Sequence, residues 1–147
     1  MNAKKPSSWP ECPTPPSTAP RYNSFMYRIT KQFSFSASHR LDHLPEDHPC
    51  FRLHGHNYVV EVVLESAELN GDGFVRDYGE LEPLKHFIDE RLDHRHLDDE
   101  LPEGMVSSAE NIARYLHDFA AARWPEVAAV RVSETPRTWA EYRPDAE

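Results

Sequence analysis

Cysteine is scarce in this sequence. Two occur in 147 residues, Cys12 and Cys50, and no C-x-x-C pair is present. A disulfide framework and an all-thiolate metal site are therefore excluded, and any metal must be held by histidine or carboxylate. Long apolar runs are missing as well: nothing approaches the roughly 18 consecutive apolar residues that a membrane helix needs. Positive charge is in deficit, with 16 Lys and Arg against 25 Asp and Glu and a net charge of −9. That balance argues against nonspecific binding to nucleic acid or to an anionic membrane. Residues 1–25 lack Val, Ile and Leu and contain six prolines. They read as a disordered leader, without the apolar core or cleavage site of a secretory signal, so a soluble, cytoplasmic protein is expected. The folding unit is then residues 26–147, large enough for one modest core. A deep pocket within so small a unit is hard to build, which makes a site shared between subunits plausible.

What the sequence does have is histidine, nine in all, and periodicity. Phe33, Phe35, Ala37 and His39 alternate with Ser34, Ser36 and Ser38, which predicts a strand from Met26 to His39. After a charged loop, a second strand runs from His54 to about Ser66. One of its faces carries His54, His56, Tyr58, Val60, Val62 and Leu64, and the other carries Asn57, Val59, Glu61, Val63 and Glu65. The Asn70-Gly71-Asp72-Gly73 turn precedes a short extension at Phe74-Val75. A helix fits Tyr78 to Leu92, with Leu81, Leu84, Ile88 and Leu92 as its stripe and Pro83 making the first turn irregular. Ser107-Ser-Ala-Glu110 is a capping-box pattern for a second helix that buries Ile112, Leu116, Phe119 and Ala120. Val127–Thr135 and Thr138–Arg143 read as closing strands. The order β-β-α-α-β-β predicts an α+β fold, a four-stranded antiparallel sheet with two helices on one face.

Four groups of residues can carry chemistry. His54 and His56, two apart on a strand, point the same way and can reach one ion, and His39 ends the preceding strand on its apolar side. Three histidines without a fourth protein ligand match the open coordination of catalytic zinc, while core histidines bonded to backbone are the alternative. Cys50, four residues before His54, would have its thiol acidified beside a cation; otherwise it is a small buried hydrophobe. Asp93-His94 after the first helix is either a proton relay or a charged helix end, and His96 is equally ambiguous. Glu134, ending an apolar strand, suits an amidine-like N–H pair on a heterocycle or is a plain surface carboxylate. A cupin-like reading of His54-x-His56 with Glu61 fails on parity, because Glu61 falls on the opposite face of an uninterrupted strand. A zinc ion that merely holds an oligomer together is a further alternative.

The runs Phe35-Ser-Ala-Ser-His39, Cys50-Phe-Arg-Leu-His54-Gly-His56-Asn-Tyr, Asp77-Tyr-Gly-Glu-Leu, Leu92-Asp93-His94, Ser108-Ala-Glu110-Asn and Ser133-Glu134-Thr135, in this order, resemble the 6-pyruvoyl-tetrahydropterin synthase family. The spacing of Cys50 to His54 is most similar to the branch that makes 6-carboxy-tetrahydropterin in queuosine (7-deazaguanine) biosynthesis. The resemblance spans about Met26 to Arg143. It implies the tunnelling fold, assembly into a barrel, typically a hexamer, and active sites between subunits. It further implies Zn2+ on His39, His54 and His56, Cys50 as the base, Asp93 and His94 as the relay, and Glu134 as the pterin anchor. Ser108 and Glu110 would lie near the pocket. The implied substrate is 7,8-dihydroneopterin triphosphate, cleaved to 6-carboxy-tetrahydropterin, acetaldehyde and triphosphate. The sister reaction keeps the carbon chain and gives 6-pyruvoyl-tetrahydropterin. Arg40, Arg52, Arg95 and Arg137 are candidates for the triphosphate. Two positions depart from the family pattern: Ser108, where Thr is usual, and Asp98, where Asn is common. Both departures bear on fine substrate contacts.

Overall fold

The computed structural model describes residues 26–145, and the expected leader at 1–25 lies outside the described residues. Strands β1 (Tyr27–His39) and β2 (His54–Ser66) form where alternation predicts them. They pair antiparallel along their whole length, from Tyr27↔Ser66 to His39↔His54. Phe33, Phe35 and Ala37 on β1 and Tyr58, Val60, Val62 and Leu64 on β2 are buried, so the predicted apolar faces coincide on one side of the pair.

The first helix begins as a 3-10 turn at Tyr78–Leu81, capped by Asp77, whose carboxylate accepts the Gly79 N–H at 2.8 Å. Helix α1 (Glu82–Arg91) follows with Pro83 in its first turn, where a missing N–H costs no hydrogen bond. Beyond it lie a two-residue strand β3 (Arg95–His96) and a one-turn helix α2 (Leu97–Glu100). Helix α3 (Ala109–Ala121) starts one residue later than the capping-box pattern suggests. Ser108, not Ser107, is the cap; its Oγ accepts the Asn111 N–H at 3.4 Å, while Ser107 is fully buried. Strands β4 (Val127–Thr135) and β5 (Thr138–Tyr142) close the sheet.

The sheet order is β3-β1-β2-β4-β5. Four strands are antiparallel as expected, and the fifth, β3, adds a parallel pairing to β1 at Ala37 and Ser38. Two charged residues carry no strand periodicity, so nothing in the sequence announces β3. The expected extension at Phe74-Val75 does not form a strand. Asn70 Oδ1 instead captures the Asp72 and Phe74 N–H groups at 3.0 Å each, closing a compact loop that drops Val75 into the core.

The helices cover the apolar sheet face. Leu81, Leu84, Ile88 and Leu92 from the α1 region and Ile112, Ala113, Leu116 and Ala120 from α3 meet Val60, Val62, Val130 and Val132 in one cluster. The opposite face carries ion pairs, among them Arg28–Glu65, Arg131–Glu61 and Arg143–Glu65. Glu61 is tied there to Arg131 and Gln32, away from the histidines, as parity requires. Among the described residues, no helix is long and apolar enough to cross a membrane.

Leu116 is fully buried, whereas Leu69 is 41% exposed. Leu116→Ala should cost about 2–5 kcal/mol of unfolding free energy, and Leu69→Ala should change it little. Denaturant titration of the two variants side by side checks this.

Candidate metal centre

The β1–β2 register places His39 directly opposite His54 and Ala37 opposite His56. Three imidazoles therefore meet on the apolar face at one end of the ladder, and their candidate ligand atoms all lie within 4.8 Å of one another. His39 is 1% exposed. Its Nδ1–H donates to the Ser107 carbonyl at 2.7 Å, and His54 Nδ1–H donates to the Arg52 carbonyl at 2.6 Å. A carbonyl can only accept, so both Nδ1 atoms must carry their protons and both Nε2 atoms are free to be ligands. Those two Nε2 atoms face each other at 2.9 Å. Two lone pairs in that arrangement repel unless a cation or an added proton sits with them. Tetrahedral Zn–N bonds of 2.0–2.1 Å put ligand nitrogens about 3.3 Å apart, so the donor set fits one such ion after small ring movements. Burial lowers the pKa of His56; the charge on Glu134 opposes this, and His39 and His54 add to it. Lone-pair availability at neutral pH is the result.

Gly55, between the two strand histidines, is there for a steric reason. A Cβ at that position would sit 3.1 Å from the Ala37 carbonyl oxygen, on the strand that must present His39. A side chain in the middle of the H-x-H run would therefore make the Ala37 carbonyl give way by a few tenths of an ångström.

Around the triad lie two clefts. The smaller, about 230 Å³, is lined by His39, Cys50, Ser108, Glu110, Glu134 and Trp139 among others. It gathers five of the nine expected site residues. Cys50 reaches it from a 3-10 turn (Pro49–Phe51), partly buried. Ser108 and Glu110 reach it from the start of α3, and Glu134 arrives two residues past Val132 on the same face of β4. The larger cleft, about 500 Å³, is lined by Ser36, Ser38, His56, Asn57, His94, Arg95 and His96. Asp93 and His94 therefore do not join Cys50 within one chain. Of the four candidate arginines, Arg95 lines this larger cleft. Arg40 stacks on Phe51 at 4.2 Å, Arg52 contributes its carbonyl to His54, and Arg137 is exposed in the β4–β5 turn.

The Asp93-His94 pair is held by backbone. Asp93 Oδ1 accepts the Ser36 N–H at 2.9 Å, His94 N–H donates to the Ser36 carbonyl at 2.6 Å, and Asp93 Oδ2 lies 2.9 Å from His94 Nδ1. His94 has φ 56°, the only positive φ outside glycine among the described residues, and its ring is 82% exposed. A left-handed non-glycine residue bearing an exposed imidazole oriented by a carboxylate suits proton transfer. The Ser36 N–H, and then the neighbouring His94, hold the Asp93 carboxyl below the usual aspartate range.

Two features of the site escaped the sequence patterns. Tyr58, next on the face after His56, is fully buried with its hydroxyl unpartnered among the described residues. Burial, together with Glu134 and Asp98, pushes its phenol well above the usual range. Asp98 and Ser107 form the other, a carboxylate and a hydroxyl behind His39. The sequence marked Asp98 only as a departure from the family's asparagine and Ser107 only as a helix cap.

Fold and site together define the class: a tunnelling-fold chain, with its histidines and cleft residues gathered at one end of a largely antiparallel sheet. The family model for 6-pyruvoyl tetrahydropterin synthase matches residues 28–145, and the chain belongs to that family of pterin enzymes. A 6-pyruvoyl tetrahydrobiopterin synthase of Dictyostelium discoideum is 32% identical, covering 78% of this chain and 94% of that protein. A 6-carboxy-5,6,7,8-tetrahydropterin synthase of Synechocystis is 35% identical, covering 80% and 93%. The structure of Caenorhabditis elegans 6-pyruvoyl tetrahydropterin synthase superposes with a TM-score of 0.72 at 28% identity, over 82% of this chain and 96% of that one.

Because the folded-state value of Asp93 is depressed, its stabilising contribution is present above the usual aspartate range and is lost as pH falls through the folded value. A carboxyl-carbon NMR titration should place the Asp93 midpoint below the usual aspartate range. Gly55→Ala should push β1 from β2 beside His39 and weaken metal binding by about tenfold or more, measured by competition with a chromophoric chelator.

Proposed function

We propose that this protein converts 7,8-dihydroneopterin triphosphate and one water into 6-carboxy-5,6,7,8-tetrahydropterin, acetaldehyde and triphosphate, as a zinc-dependent carbon–carbon lyase. The observation that carries the proposal is the smaller cleft, where a thiol, a buried histidine of the triad and a strand-end carboxylate converge. A zinc ion on His39, His54 and His56 would supply a Lewis acid for the substrate's side-chain hydroxyls. Cys50 acts as the base at the side-chain carbons. Glu134 accepts the N–H pair of the pterin ring and fixes the side chain toward the triad. Ser108 and Glu110 shape the rim. His94, oriented by Asp93, returns protons to the departing fragments, and Arg95 in the same larger cleft meets the triphosphate.

The separation of Cys50 from Asp93 and His94 supports an oligomer, a hexamer in this reading, in which the relay of one subunit completes the cleft of its neighbour. The carboxy product is favoured by the three-residue gap between Cys50 and His54. Retention of the carbon chain, giving the pyruvoyl product, is the second reading, and relatives of similar identity bear that name.

Purified protein incubated with dihydroneopterin triphosphate should release one acetaldehyde per triphosphate; triphosphate release without acetaldehyde would establish the pyruvoyl reaction instead. Cys50→Ala should lower kcat by roughly 10²–10⁴-fold while metal content stays at the wild-type level. His54→Ala should lose both metal and turnover. Full turnover by Cys50→Ala would remove the thiol from the mechanism.

A further inference from the structure

His39 is gripped from behind by a set of groups that converge on one carboxylate. The Ser107 carbonyl takes the His39 Nδ1–H at 2.7 Å, and the Ser107 hydroxyl donates to Asp98 Oδ1 at 2.8 Å. Asp98 Oδ2 accepts the N–H of Arg40, the residue after His39, at 2.8 Å. The same oxygen lies 3.2 Å from His96 Nε2, and His96 Nδ1 is 3.0 Å from the hydroxyl of Ser38, the residue before His39. Asp98 thereby reaches the backbone after His39 directly, the Ser38 side chain before it by way of His96, and through Ser107 the ring itself.

We infer that Asp98 is a positioning residue that fixes the ring orientation and Nδ1–H tautomer of His39 through Ser107, and so sets the strength of the histidine triad as a metal site. The donor inventory supports this. Two donors point at Asp98, the Arg40 backbone N–H and the Ser107 hydroxyl, one at each carboxylate oxygen, and the His96 ring lies beside it. A carboxylate accepts both with no hydrogen of its own to place. An asparagine would have to turn its NH2 group toward one of them. Ser107 is fully buried, so without Asp98 its hydroxyl would lack this acceptor and its peptide would be freer to rotate away from His39. Asp98 lines neither the thiol cleft nor the His94 cleft. It lines instead a separate cleft with Arg40, Asp42 and His43.

The proposal rests on the reading of His39, His54 and His56 as a metal site, and the two are separable. Zinc affinity, read by competition with a chromophoric chelator, should fall about 10–100-fold in Asp98→Ala, with a shifted visible spectrum in the Co2+-loaded protein. Asp98→Asn, which keeps one acceptor oxygen but turns its NH2 group toward one donor, should fall between wild type and Asp98→Ala. Asp99→Ala, on the same helical turn, serves as the control and should leave affinity and spectrum unchanged. In metal-free protein, the His39 Nδ1–H resonance should exchange with water faster in Asp98→Ala than in wild type. That arm reads the positioning even if the wild-type protein binds no metal, a result that would sink the metal reading alone. If Asp98→Ala does not fold, Ser107→Ala takes its place in both measurements, with a loss of at least about threefold expected on the same scale. Unchanged affinity, Co2+ spectrum and proton exchange in the folded variant would overturn the inference, as would an equal loss in Asp99→Ala.

Discussion

The register of β1 against β2 is the constraint on which the rest depends. It runs unbroken through thirteen-residue strands and ends on His39 opposite His54. Because side chains alternate, a slip of one residue would send one strand's histidines to the ion-paired face and its serines or charged residues into the core. The packing of Phe33, Phe35, Tyr58, Val60, Val62 and Leu64 under the helices therefore holds the imidazoles together at a distance. The hydrophobic effect sets the register, and the chemistry at the strand ends depends on it.

The two carbonyls that take the Nδ1 protons come from places that this register alone does not control. Arg52 lies in the approach to β2, whereas Ser107 lies just before α3. The helical layer must be docked before His39 is held, so the triad is a tertiary feature and not a property of a hairpin. The short strand β3 serves the same end. By pairing with Ala37 and Ser38 it brings α2, and Asp98 with it, against the end of β1.

Much of this was legible from residue patterns. Parity along two strands correctly grouped His39, His54 and His56 and sent Glu61 to the far face. Apolar spacing found both long helices, and the prolines and glycines marked the turns. The misses have physical causes. β3 is two polar residues whose pairing partners are 58 residues away, so no local pattern could reveal it. Phe74-Val75 looks like a strand, but Asn70 offers its backbone a closer acceptor. Ser107 and Ser108 are both good caps on paper, and burial of one against Asp98 decides which is used. The grouping of Cys50, Ser108, Glu110 and Glu134 came from family resemblance; nothing in their local sequence places them in one cleft. Their separation from Asp93 and His94 became visible only in three dimensions.

His94 bears on any attempt to make this protein more robust. Its left-handed backbone, φ 56°, carries a penalty of roughly 1–2 kcal/mol that glycine would not. A stability-guided redesign would select glycine there on backbone grounds alone and delete an exposed imidazole that Asp93 orients. Sequence optimisation that scores only folding would thus strip the proposed relay while reporting an improvement. The position is a direct measure of how much conformational comfort the chain gives up to keep a ring at that spot.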